Sequence, residues 1–198
     1  MESPNGIPRH WRKRHLRVLA VEDGGFAAKA KGSRALLLGV VMSNFTISRL
    51  LISSLEVDGL DATERMIEMV RKGRVSIDLI LLASISYGGF NLMDPIQIYR
   101  KLRIPVLVVN PEKPNNIAVK SALRKHFADW KKRFAVFQRA GAPHKLVLAG
   151  GKSVYFHAYG IPKPRAMAAI RNLTVFGKIP EPLRVAHMLA HELSKGYR

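Results

Sequence analysis

The 198-residue sequence predicts an α/β fold, a mixed five-stranded sheet with helices on both faces. Three features carry that expectation. First, three runs rich in Val, Leu and Ile, at 17–22, 35–43 and 46–57, are separated by little more than turns, and strands joined by a hairpin are antiparallel. Second, IDLILLA (77–83), apart from Asp78, and IPVLVV (104–109) are continuous apolar runs, as strands buried on both faces are. Third, each of these two runs follows a helical segment, and a helical crossover makes the strands it joins parallel.

The elements follow in order. Residues 1–14, containing PRHWRKRH, read as a basic, irregular arm, and 15–198 as one domain. Ser-Asn-Phe at 43–45 suits a tight turn between the second and third strands. DATERMIEMVRKG opens on Asp61 as N-cap, has Glu64 three residues later and ends at Gly73, which predicts a capping box and a helix with Met66, Ile67, Met69 and Val70 on its apolar face. SYGGFN (86–91) reads as a crossover loop whose glycines take positive φ. DPIQIYRKL predicts a short helix with Pro95 in its first turn. A helical region spans 116–140, broken near Ala128–Trp130. Short strands are expected at 145–149 and 153–158, and helices at 163–171 and 181–195.

The chain has 33 Lys and Arg against 14 Asp and Glu, a formal net charge of +19. Self-repulsion of that size points to an anionic partner, nucleic acid first. The charge is uneven. Residues 49–113 hold nine basic and eight acidic side chains, and the rest of the chain holds twenty-four and six. There is no cysteine, which excludes disulfides, thiol catalysis and Cys-ligated zinc. No run of about 18 apolar residues is present to span a membrane, and the N-terminal stretch lacks an apolar signal core. The expectation is a cytoplasmic protein with no membrane partner.

Four of the scarce acids stand where apolar runs end. Glu22 and Asp23 close RVLAVED, and Asp58 and Asp61 follow TISRLLISSLEV. Mg²⁺ or Mn²⁺ takes hard oxygen ligands, of which the protein commonly supplies one or two carboxylates. Neighbouring residues of a strand point to opposite faces, so one of Glu22 and Asp23 faces a given site. The competing roles are a turn for Glu-Asp-Gly-Gly and an N-cap for Asp61; Asp58 has no such structural duty. In SYGGFN, Gly88 and Gly89 permit close backbone approach to a ligand, Tyr87 and Phe90 can stack on a base, and Asn91 completes a candidate nucleic-acid contact. The 120–139 stretch has seven basic residues interleaved with aromatics, and Lys120, Arg124 and Lys125 are candidate phosphate contacts. His187 and His191 lie one helical turn apart, without the HExxH order because Met188 follows His187. Arg184, one turn before His187, is a candidate phosphate ligand. GGKS at 150–153 is not a P-loop, since Leu146 occupies the position of the required first glycine.

VLAVEDGGF, VDGLDATE, ILLASISYGGFN, IPVLVV, ALRKHFADW and IPEPLRVAH together resemble the archaeal endonuclease dU family, distantly similar to endonuclease V, over about residues 17–196. The order of elements also matches the ribonuclease H-like fold. The resemblance implies that fold, dependence on Mg²⁺ (or Mn²⁺), and cleavage of a phosphodiester near a deaminated base such as deoxyuridine. It carries metal carboxylates onto Glu22 or Asp23 and onto Asp58 or Asp61, and a catalytic histidine onto His187. The family's Asp-Gly after the fourth strand is Ala83–Ser84 here. Alanine binds no metal, so either another group such as Asp94 compensates, or the chain binds metal weakly, or it has kept nucleic-acid binding and lost cleavage.

Overall fold

The computed structural model describes residues 16–26 and 32–195. The basic arm expected at 1–14 lies outside the described residues. Three strands open the described fold: β1 (Arg17–Asp23), β2 (Arg34–Ser43) and β3 (Thr46–Glu56). β1 pairs antiparallel with β2, and β2 with β3. The β2–β3 turn holds Asn44 and Phe45 at φ 49° and 62°, the left-handed pair that a two-residue hairpin turn requires. Helix α1 (Ala62–Gly73) then leads to β4 (Leu79–Leu82), helix α2 (Pro95–Leu102) to β7 (Val106–Asn110), and both strands run parallel to β1. Between β4 and α2, the segment expected as a bare loop is a small hairpin, β5 (Ser86–Tyr87) with β6 (Asn91–Leu92).

The sheet is larger than the five strands expected. Its order is β3-β2-β1-β4-β7-β9-β8, seven strands. The five expected strands lie side by side. The two short strands, β8 (His144–Val147) and β9 (Ser153–Tyr159), add an antiparallel pair beyond β7. That addition satisfies the backbone groups that the edge of β7 would otherwise expose. Helices α3 (Asn116–His126) and α4 (Trp130–Ala140) precede the pair; α5 (Lys163–Leu173) and α6 (Glu181–Lys195) follow it.

Strict alternation along the strands builds two cores. Leu19, Val21, Leu37 and Leu55 pack with α1, Ile98 of α2, Leu123 of α3 and Phe137 of α4. Val18, Ala20, Leu36 and Leu38 pack on the other face with Ala166 and Ile170 of α5 and Leu183, Ala186 and Ala190 of α6. Side chains of period two on a sheet covered on both faces require this arrangement. No helix among the described residues is long and apolar enough to cross a membrane.

Candidate active site

The parallel strands β1, β4 and β7 end together, at Glu22–Asp23, Leu82–Ala83 and Asn110. In open α/β sheets the carboxyl ends of the strands are where ligands bind. The alternation of β1 continues to its end. Val18 and Ala20 face α6, and Glu22 follows them in step; its Oε1 lies 3.1 Å from Nδ1 of His187 on α6. Leu19 and Val21 face the α1 side, and Asp23 follows those; its Oδ2 accepts a hydrogen bond from Gly88 N at 2.6 Å. The two carboxylates therefore leave β1 on opposite sides of its tip.

Both are unusual in this chain. The Glu22 side chain is 14% exposed, and burial pushes its carboxyl up to about 7, against the opposing hydrogen bond from His187. Asp23 is likewise raised, first by burial, with the Gly88 N–H pulling the other way. Among the described residues no Lys or Arg forms an ion pair with either. Two half-buried carboxylates without a Lys or Arg ion pair among the described residues, in a chain of 33 Lys and Arg, are electrostatically incomplete. Among the described residues His187 is the ionic neighbour of Glu22, and its side chain is 71% exposed.

Asp58 and Asp61 do different work. Asp58 sits at φ 56°, donates its N–H to Gly88 O at 2.8 Å and accepts from Phe90 N at 2.8 Å. It thus clasps the Gly88–Gly89 turn from the side opposite Asp23. A Cβ on Gly89, at φ 81°, would lie 2.3 Å from Asp58 Oδ1, so the clasp needs glycine there. Asp61 is structural. It accepts from Glu56 N (3.1 Å), Asn91 Nδ2 (2.6 Å) and Arg65 Nε (3.0 Å). Burial raises its carboxyl, but these hydrogen bonds outweigh burial and hold it below the ordinary carboxylate value. The expected capping box does not form: the Asp61 side chain makes no cap bond, and Asn91 Oδ1 takes the Ala62 N–H instead at 2.9 Å. Asp94 does not compensate for Ala83. It caps α2 by accepting from Ile96 and Gln97 N–H and pairs with Arg139 at 2.7 Å.

Several expected nucleic-acid contacts are frame residues. Tyr87 is 1% exposed and cannot stack on a base; its hydroxyl donates to Val21 O, and Ala83 N donates to it, each at 3.2 Å, knitting β1 to β4 below the site. Asn91 is fully buried as the clamp between Glu56, Asp61 and Ala62. Phe90 packs edge-on against Phe127 at 5.6 Å. Gly88 and Gly89 form the turn itself. Arg184 is held by Glu181 through Nε at 2.7 Å and Nη2 at 2.5 Å, not left free for phosphate. Lys120, Arg124 and Lys125 are exposed on α3, with Lys120 over Phe134 at 5.6 Å and Arg124 over Trp130 at 5.5 Å. Asn110 was missed from sequence: its Nδ2 donates to Ala83 O at 3.0 Å, beside the position of the missing carboxylate. The only signal for it is a polar residue ending an apolar run.

The donor set bears on a metal. Among the described residues, no three His, Asp or Glu side chains group into a cage. Mg²⁺ needs none, since it is usually held by one or two carboxylates plus substrate phosphates and water. Glu22 or Asp23, each half-buried and without a Lys or Arg ion pair among the described residues, fits one carboxylate of that share, since the two face opposite sides of the strand.

Comparison with known proteins shows the family and the fold. Residues 14–194 match the family model described as Endonuclease dU. A UPF0215 protein of Thermococcus gammatolerans is 40% identical over 188 residues, covering 93% of this chain and 95% of its own. One from Pyrococcus furiosus is 37% identical over 187 residues, with the same coverages. The crystal structure of an Archaeoglobus fulgidus protein of unknown function superposes with a TM-score of 0.79 at 30% identity, covering 90% of this chain and 98% of its own. Human endonuclease V shares the fold, with a TM-score of 0.61 at 13% identity and coverages of 98% and 88%. So does Ciona intestinalis endonuclease V in complex with a 23mer DNA containing an inosine followed by a ribo-adenosine, with a TM-score of 0.60 at 10% identity and coverages of 100% and 92%.

Proposed function

The chain belongs to the endonuclease dU family, and from that premise we propose that it is a metal-dependent endonuclease cutting DNA near deaminated bases of the deoxyuridine type. The observation that carries the reading is the pair of half-buried carboxylates, Glu22 and Asp23, which form no ion pair with Lys or Arg among the described residues of a chain of net charge +19. The Ciona endonuclease V complex with inosine-containing DNA supports a nucleic-acid substrate of the same class.

Of the two carboxylates that leave β1, Glu22 on the His187 side is the one that would hold Mg²⁺ or Mn²⁺, and Asp23 faces the Gly88 turn. Such an ion, when bound, activates water and offsets charge developing on the phosphate. The chain's own residues do the rest. Glu22 holds the His187 imidazole by Nδ1, which orients an exposed ring to hand a proton to, or take one from, an oxygen at the scissile phosphate. The Gly88 N–H fixes the Asp23 carboxylate, and Asp58 keeps that turn in place. Lys120, Arg124 and Lys125 draw the phosphate backbone to the α3 surface.

One observation favours a second reading, a nucleic-acid-binding protein of this fold that no longer cleaves. At Ala83 no carboxylate is available, and the backbone groups there are already engaged by Tyr87 and Asn110. The test is incubation of the full chain with uracil- and inosine-containing oligonucleotides and Mg²⁺ or Mn²⁺, beside Glu22→Gln. Cleavage that requires metal and Glu22 supports the nuclease. Binding with no cleavage above the variant supports the second reading.

A further inference from the structure

We propose that Val175 and Phe176, at the tip of the α5–α6 loop, are a base-stacking platform for the nucleic-acid strand that enters the Glu22–His187 site. Phe176 is 68% exposed, more than any other phenylalanine among the described residues, and Val175 is 62% exposed. The loop that presents them is tied down at both ends. Thr174 closes α5 by donating its N–H and Oγ1 to Ile170 O, at 3.0 and 2.7 Å. On the other side Lys178 pairs with Glu112 at 2.5 Å, and the buried Pro180 accepts from Leu183 N and Arg184 N. The ring is therefore held out on a fixed support.

Its position ties it to the site. The Arg184 guanidinium lies 5.7 Å from the Phe176 centroid. Arg184 and His187 are i, i+3 neighbours on α6, and His187 meets Glu22. Side chains so spaced are about 5–6 Å apart, so the ring stands on the order of 10–15 Å from the Glu22–His187 pair, roughly three to four steps along a strand rising about 3.4 Å per nucleotide. The chemistry of the occupant follows from the setting. Residues 160–187 hold five Lys and Arg; Arg184 is paired with Glu181 and Lys178 with Glu112, which still leaves the segment and these partners three positive charges in excess. A ligand that is polyanionic and offers flat apolar faces at that spacing is a nucleic-acid strand, and aromatic platforms beside basic grooves bind bases with little regard to sequence.

The inference rests on the proposed nucleic-acid reading, and the experiment separates the two. Binding of the full chain to a uracil-containing single-stranded oligonucleotide is measured by anisotropy in EDTA across a salt series, with Phe176→Ala, Phe176→Trp and Phe176→Leu. Removing a stacking ring is expected to weaken binding by about 5- to 100-fold while leaving the salt slope unchanged, because no phosphate contact is lost. Phe176→Trp is expected to retain affinity, and Phe176→Leu to behave like the alanine variant. Equal affinity of Phe176→Ala and wild type overturns the platform while leaving nucleic-acid binding intact. Full retention by leucine overturns stacking in favour of plain apolar contact. A wild-type dimer that Phe176→Ala turns into a monomer at unchanged affinity assigns the face to a second copy and overturns the platform. No binding by wild type at any salt overturns the parent reading together with it. Phe176 is exposed, so an unchanged Tm is the expected control for folding.

Discussion

Burial lifts the Glu22 carboxyl from 4.5 to about 7. An acid whose folded pKa exceeds its unfolded value binds its proton more tightly when folded. Stability is then greatest below about pH 4.5, falls as pH rises toward 7, and stays lower above that. Glu22→Gln removes the charge and keeps the shape. In metal-free buffer the variant is therefore expected to be more stable than wild type at pH 8, by on the order of 1–3 kcal/mol, with the gap closing toward pH 4.5. Urea unfolding at pH 5 and pH 8 measures it, and a gap of equal size at both would show that burial of charge is not the cause. Mg²⁺ or Mn²⁺ is expected to raise the wild-type Tm at pH 8 and leave Glu22→Gln unmoved, since a ligand stabilises only the state that binds it. Asp61 predicts the opposite pattern. Asp61→Ala strips partners from the fully buried Asn91 amide and from the Glu56 N–H. The expected loss is about 1–3 kcal/mol at neutral pH, with the metal-induced rise in Tm retained.

Helix α6 carries His187 to Glu22, and its seat on β1 is made by two small residues. A Cβ on Gly24 would lie 2.6 Å from Ser194 Cβ and 3.1 Å from Ala190 O, while Ser194 Oγ accepts from Gly25 N at 2.9 Å. Gly24→Ala must push the C-terminal half of α6 outward. The expected outcome is about 1–3 kcal/mol of lost stability and a fall in kcat larger than any rise in KM, because the displaced half of the helix follows on from His187, the proposed proton-transfer group, while Phe176 meets Arg184 near the helix's other end. Steady-state kinetics on a cleavable oligonucleotide separates the two constants. The Val- and Leu-rich run made β1 legible and the helical segment 181–195 made α6 legible, and the alternation of a strand already implied that Glu22 and Asp23 leave β1 on opposite sides. The duty of Asp61 was not legible, because its partner Asn91 is thirty residues away and looks like loop chemistry. Tyr87 was misread for the same reason: aromatic residues beside glycines suit a stacking loop, and only the fold brings its hydroxyl to Val21, 66 residues earlier. The sheet grew from five strands to seven because local pattern marks a strand without naming its neighbour. β8 and β9 were recognisable, but their pairing with β7 is a tertiary fact.

Over the whole molecule the charge is partitioned as the functional reading requires. The nearly neutral segment 49–113 supplies β3, α1, β4 and α2, while α3, α4 and the C-terminal third hold much of the excess. If that field exists to hold phosphates, its removal must appear in the salt dependence of binding and not only in affinity. Each phosphate neutralised on duplex DNA adds about 0.9 to the slope of log K against log salt, and about 0.7 on a single strand. Replacing Lys120, Arg124 and Lys125 by Gln is therefore expected to flatten the slope by about 2–3 and to weaken binding evenly across sequences. All three are exposed, so an unchanged Tm is the expected control for folding. Arg71→Gln on α1, inside the neutral segment, is expected to leave the slope unchanged. Anisotropy titrations between low and physiological salt read both variants. A slope untouched by the α3 substitutions would move the strand's path off α3 and onto the remaining basic surface of the C-terminal third, around α5 and α6.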